Sequence, residues 1–197
     1  MIHPIKNSTS APFWGFFSFL KKTKMKIMLD KELHLTPLHP DHSKSLFEIL
    51  TAHRSHFSPW LPFVNELKYI EQTQKFILES QALVVAKKDF SFAIIVKNQA
   101  KGIISAKELN WVSKSTELGY WLDPEIQNQG IMKKSLIRMV EWLSETFGFQ
   151  TFWIKCAQGN ISSQRVAIKA GFELVDQEKR TNEKVEQVYL IFRLQKS

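Results

Sequence analysis

Residues 117–132 read Glu-Leu-Gly-Tyr-Trp-Leu-Asp-Pro-Glu-Ile-Gln-Asn-Gln-Gly-Ile-Met. A run of strand character ends at Asp123-Pro124, crosses a short polar turn and opens a long amphipathic segment. The first turn of a helix leaves backbone N–H groups unpaired, and the helix dipole favours negative charge there. Gly130 lets a ligand approach that backbone closely, and Gln127 and Asn128 can add side-chain donors. By type alone Gly130 is an ordinary turn glycine; the strand before it and the helix after it point to a ligand. The arrangement suits a pyrophosphate. It lacks the Lys-Ser/Thr of a nucleoside-triphosphate loop and the three glycines of a dinucleotide turn. The expected ligand therefore carries a diphosphate and need not react at phosphorus.

A second constellation follows on the next strand–helix unit: Asn160, Ser163, Val166, Ala167, Lys169, Gly171 and Phe172. Asn160 leaves the strand end and is also a good helix cap. Ser163 lies on the first turn, where its type alone favours a solvated serine. If both strands are parallel, their carboxyl ends face one crevice, where open sheets bind ligands. Gly119, inside the first of these strands, suggests a bulge that would splay the pair. Cys156 reads as a small buried side chain of the second strand, and His53 and His56 as surface or loop histidines.

These segments need elements to hold them. Alternation predicts a strand at 32–37, and helical spacing of Leu46, Ile49 and Leu50 a helix at 41–53. Pro59 and Pro62 mark 54–64 as a loop. A second helix is expected at 69–86, with Ile70, Gln74, Ile77 and Val84 as its weakly apolar side. Strands follow at 90–96 and 102–109, joined by a turn at Asn98-Gln99, and at 116–122. The clearest helix is 132–147, where Leu136, Met139, Val140, Leu143 and Phe147 form one stripe and Gly148 stops it. A strand at 151–157, a helix at 162–170 and a hairpin of 172–179 with 185–194 close the chain. Strand–helix–strand in the middle implies one parallel crossover in an otherwise antiparallel sheet.

The whole is 197 residues, 44% hydrophobic and 23% charged, which suits one domain with a real core. One cysteine excludes an internal disulfide, and all six histidines lie between His3 and His56 without zinc spacing. No metal is expected, and the compartment is expected to be the cytoplasm. Five of the 27 basic side chains fall in residues 1–28, which contain no acid, so the net charge of +8 is largely a property of that leader. It is no evidence for a nucleic-acid face, and no aromatic–arginine interleaving suggests one. Residues 1–28 read as a dispensable or disordered leader and 29–197 as the domain. Within the leader, the aromatic run ending in Lys21-Lys22 would also serve as an interfacial membrane contact over residues 13–22.

Taken together, the motifs resemble the GNAT acetyltransferase superfamily, and within it the ribosomal-protein-serine/alanine N-acetyltransferases. The resemblance spans about residues 30–195. It rests on Trp60-Leu61-Pro62-Phe63, on 117–122, on Gln127-Asn128-Gln129-Gly130-Ile131-Met132, on Asn160-Ile-Ser-Ser163 and on Lys169-Ala-Gly171-Phe172. It implies an α+β fold whose mixed, mostly antiparallel sheet is splayed between its fourth and fifth strands and flanked by helices. It also implies acetyl-CoA as donor, with the pyrophosphate on the backbone from Gln127 to Met132. The pantetheine arm would lie along Tyr120, Trp121 and Leu122, with Asn160, Ser163 and Lys169 also at the cofactor. Met132 stands where many members have Gly or Ala, and the tyrosine common after the Asn160 position is absent. Ser163 would inherit its role as acid toward the thiolate. Glu117, or else Glu178, would relay the amine proton, and Trp60 and Phe63 would line the acceptor groove. The implied acceptor is a protein N-terminus or a small amine such as a polyamine or an antibiotic. A non-catalytic coenzyme A module is the alternative class, and monomer or homodimer both remain open.

Overall fold

The computed structural model describes residues 26–182 and 185–196. In chain order its elements are β1 (Ile27–Met28), β2 (Leu33–Pro37), α1 (Ser43–Ala52), α2 (Arg54–Phe57), α3 (Ile70–Val85), β3 (Phe90–Val96), β4 (Gln99–Asn110), β5 (Ser115–Leu122), α4 (Ile131–Phe147), β6 (Thr151–Ala157), α5 (Ile161–Lys169), β7 (Glu173–Asn182) and β8 (Val185–Gln195). The strands form one sheet in the order β1-β2-β3-β4-β5-β6-β8-β7. Every pairing is antiparallel except β5 with β6. The parallel crossover therefore falls where the strand–helix–strand pattern put it. The first strand begins at Ile27, ahead of the boundary expected at residue 29. The aromatic run of the leader lies outside the described residues.

The β5–β6 ladder has only three rungs, Ser115 with Thr151, Thr116 with Phe152 and Glu117 with Trp153. Both strands run on, β5 to Leu122 and β6 to Ala157, each held by its outer neighbour. Past Glu117 the sheet thus opens into a wedge.

The cause is not a bulge at Gly119, whose register with β4 is regular through Gly102–Leu122 and Lys107–Glu117. The irregularity lies further along, between Lys107 and Asn110, where Glu108 has φ 52°. The glycine at which β4 and β5 come closest is Gly102: a Cβ there would stand 2.3 Å from the Trp121 carbonyl oxygen. Only a residue without a side chain fits against the β5 backbone there.

The sheet is covered on both faces. On one, α4 sends Leu136, Met139, Val140 and Leu143 against Phe92, Ile94, Ile104, Leu118, Phe152 and Ile154. Gly148, at φ 71°, ends this helix as its sequence suggests. On the other face Leu46 and Ile77 pack on Ala93, Ile95 and Ile103. Helix α3 buries Thr73, Ile77 and Ser80; Val84 is half-buried, and Gln74 faces solvent. Its inner side is therefore more polar than hydrophobic spacing alone suggests. The expected loop at 54–64 is also more ordered than its prolines implied. The Arg54 guanidinium donates to the carbonyls of Val64 and Leu67, tying α2 to a 3-10 turn at Pro62–Glu66. The β3–β4 hairpin turns through Lys97 and Asn98, both at positive φ, one residue before the expected position.

Candidate active site

The long helix starts at the mouth of the wedge. Gly130 caps α4 in the left-handed conformation, φ 75°, with no side chain bonded over the helix end. A Cβ built on Gly130 would meet nothing within 4 Å. The first intrahelical donor is Lys134, whose N–H reaches the Gly130 carbonyl at 3.0 Å, so the amides ahead of it lie at an open surface. Asn128, at φ 62°, Gln129 and Gly130 are exposed, whereas Ile131 and Met132 are buried and root the helix in the core.

Gln127 behaves differently from its neighbours. Its side-chain amide donates to the Leu122 carbonyl at 3.1 Å and stands 3.3 Å from His56 Nε2. It braces the turn from inside, leaving the ligand side to backbone.

Asp123, at the end of β5, is 2% exposed and accepts from Lys101 Nζ at 3.0 Å and from the Glu125 N–H at 3.0 Å. His53 Nε2 lies 3.9 Å from both Asp123 and Glu125. His53, His56, Lys101 and Asp123 thus fix the turn that carries the cradle. Sequence reading missed them in this role. The available signal was the Asp-Pro at the strand end, and nothing local in the chain joins it to a lysine on β4 or to the histidines before and within α2.

Across the wedge, Asn160 caps α5 by accepting from the Ser163 N–H at 3.1 Å. Its carbonyl oxygen is therefore engaged within the helix start. The Ser163 hydroxyl donates to the Tyr120 hydroxyl at 3.2 Å, and Tyr120 donates to the Ser163 carbonyl at 3.1 Å. Cys156, on β6, is buried and carries a free thiol. Burial pushes both the Tyr120 phenol and the Cys156 thiol above their ordinary values. At neutral pH both stay protonated, so this seam is uncharged.

The two glutamates stand apart. Glu117, on the last β5–β6 rung, is paired with Lys155 Nζ at 3.4 Å and retains 26% side-chain exposure. The end of Lys107 lies beside Gly119, 3.3 Å from where a Cβ would sit. Glu178 lies on the edge strand β7, opposite Tyr189, which in turn stands opposite Ala157 at the top of β6. Its carboxylate is paired with Arg180. Two strands, β8 and β6, separate it from the wedge.

The loop before α3 closes the picture. The Trp60 ring lies against Gly159 in the β6–α5 turn, where a Cβ would be 3.2 Å from it. Trp60 and Phe63 are 36% and 54% exposed. Trp121 is half-buried and packs edge-to-face on Phe57 with ring centroids 5.4 Å apart. Lys169, on the last turn of α5, is exposed. Of the residues read from sequence, the structure gathers Tyr120–Leu122, Asn128–Met132, Asn160, Ser163 and Glu117 around the wedge, with Trp60 at its rim. Lys169 and Glu178 lie further out. Among the described residues no cluster of His, Cys, Asp or Glu is arranged to hold a metal ion.

Comparison with known proteins gives a concordant result. The ribosomal-protein-serine acetyltransferase of Escherichia coli (strain K12) is 26% identical over 148 residues, covering 75% of this chain and 83% of that protein. Two solved structures share the fold. One is RimL, the ribosomal L7/L12 alpha-N-protein acetyltransferase, in complex with coenzyme A joined by a disulfide to a cysteine of that protein. It has a TM-score of 0.82 and 22% identity, covering 87% of this chain and 98% of that one. The other is the microcin C7 self-immunity acetyltransferase MccE with acetyl-CoA and AMP, with a TM-score of 0.81 and 20% identity over 85% and 94% of the two chains. Residues 32–173 match the acetyltransferase (GNAT) domain family, and the chain, an open wedge between two parallel strands beside an uncapped helix start, belongs to it.

Proposed function

We propose that this protein moves an acetyl group from acetyl-CoA to the α-amine at the N-terminus of a protein, a ribosomal protein being the best-supported acceptor. The observation that carries the reading is the parting of β5 from β6 past Glu117, directly beside the open backbone at Gly130. These features fit the donor. Amides from Asn128 to Met132 would hold its diphosphate, and the free edge of β5 at Tyr120–Leu122 would pair with its pantetheine arm. Asn160 and Ser163 would border the arm from α5, with Lys169 further out along the helix. When bound, the donor supplies an activated acyl carbon as a thioester.

The chain's own residues then have three tasks: accept the amine proton, steady the developing oxyanion and return a proton to the departing thiolate. An α-amine with pKa about 7.7–8.0 is roughly a tenth neutral at pH 7, whereas a lysine near 10.4 is under about a thousandth neutral. An α-amine therefore asks little of a base. Glu117 suits the first task better than Glu178, because it stands where the strands part and keeps partial access to water. Ser163 is assigned the last task. Trp60, at the rim, and the exposed Phe63 three residues on would contact the acceptor's first residues.

The names of the curated relative and of RimL support an α-amine acceptor. The 13–22 aromatic run is assigned no part in transfer. The decisive assay offers acetyl-CoA with Ser- and Ala-starting peptides, N-blocked lysine peptides and polyamines, following thiol release and acetyl mass. Acetylation confined to free peptide N-termini is expected. Transfer to polyamines alone would move the protein to the small-amine class, and tight coenzyme A binding without any turnover would make it a binding module.

A further inference from the structure

Above the last rung of the β5–β6 ladder, the two halves of the sheet have no backbone pairing across the wedge. Among the described residues, Tyr120 makes a side-chain link from this part of β5 to the β6–α5 unit. Tyr120 leaves β5 on the face covered by α4 and α5, and its hydroxyl both donates to the Ser163 carbonyl at 3.1 Å and accepts from the Ser163 hydroxyl at 3.2 Å. With the Asn160 oxygen on the Ser163 N–H, every polar group of Ser163 is fixed. The serine sits on the first turn of a nine-residue helix, so its rotamer would otherwise be free to reach solvent.

We infer that Tyr120 is a positioning residue: its hydroxyl struts the wedge and holds the Ser163 hydroxyl in the seam between β5 and α5, at the place from which it serves the departing thiolate. This inference rests on the acetyltransferase reading. The phenol itself is not the acid. It is held neutral by burial, and its own proton is committed to the Ser163 carbonyl. It acts through the serine: the bond holds Ser163 Oγ in the seam at rest. As the thiolate departs, the Ser163 O–H turns from the phenol to the sulfur and gives up its proton there, the serine being reprotonated through solvent by the proton the amine released.

The test is a double-mutant cycle of Tyr120→Phe and Ser163→Ala in the full chain. It uses thiol release with acetyl-CoA and a Ser-starting peptide, alongside thermal melts and acetyl-CoA titration. Tyr120→Phe keeps the ring and its packing, so a melt close to that of the wild type is expected. The expected kinetic result is a fall in kcat of about tenfold, with KM for acetyl-CoA changed less than about threefold. Ser163→Ala should give a similar fall, and the double variant should be no slower than the slower single one. Losses that multiply in the double variant, or a Tyr120→Phe kcat within about twofold of wild type, would overturn the strut. A Tyr120→Phe chain that loses its fold would overturn it too, making the hydroxyl purely structural. If the wild type itself turns over with no amine, the acetyltransferase reading fails first, and the inference falls with it.

Discussion

Gly130 shows how a single residue type can be legible for the right reason and still be incomplete. Its sequence position suggested close approach of a ligand to backbone. The structure adds a left-handed φ of 75° and open space where a side chain would go. Gly130→Asp should therefore fold, at a cost of about 1–2 kcal/mol for the left-handed conformation. Its carboxylate would point into the anion site, and acetyl-CoA affinity should fall at least about tenfold. Calorimetric titration checks this; unchanged affinity would remove the cradle. Cys156 makes a second prediction. Its thiol is buried and raised, so iodoacetamide should label it slowly at neutral pH in the folded protein and readily in denaturant. Rapid labelling of the native chain would contradict that burial. Residues whose job is set by backbone chemistry, such as Gly130 and the capping Asn160, are readable from their neighbours in sequence. The bracing roles of Gln127, Asp123 and His53 are not, because Lys101 comes from β4 and His53 and His56 from the segment around α2, and only the folded sheet brings those to the turn.

At the scale of elements, periodicity located every long helix and strand, since Leu136, Met139, Val140 and Leu143 repeat along one face whatever the tertiary context. It failed where polar packing or a single long-range bond sets the structure: the Thr73–Ser80 face of α3, and the 54–66 segment held by Arg54. The position of the irregularity beside the wedge is hidden from sequence for a related reason. Gly119 looks like a bulge glycine, but a bulge needs an extra residue against a partner, and the partner register is visible only in three dimensions. The close approach of the two backbones is at Gly102 instead. Gly102→Ala would drive a methyl into the Trp121 carbonyl and force β4 and β5 apart. A stability loss of about 1–3 kcal/mol in urea unfolding is expected, as for overpacked sites, together with weaker acetyl-CoA binding. A neutral variant would contradict the close approach at Gly102.

For the whole molecule, stability and binding should separate in their pH dependence. His34, 7% exposed, is held below its ordinary value of 6.5 by burial first and by the charge of Lys26 second. His42 is lowered as well, by burial and then by His39. Both are neutral in the folded chain near pH 7, while the unfolded chain takes up their protons as the pH drops through about 6.5. The stability they permit is complete above that value and is lost as the pH falls below it. Melting temperature should thus decline from about pH 7 to pH 5, and His34→Gln should flatten the decline; an unchanged slope would place the titration elsewhere. None of these histidines borders the wedge, so this loss belongs to the fold and not to the chemistry.

The most direct measurement is a crystal structure of the complex with acetyl-CoA. The account predicts diphosphate oxygens on the amides at the start of α4, the pantetheine arm along β5, and the sulfur between the parted strands within hydrogen-bond reach of the Ser163 hydroxyl. A diphosphate bound elsewhere, or strands zipped together around an excluded thioester, would contradict it.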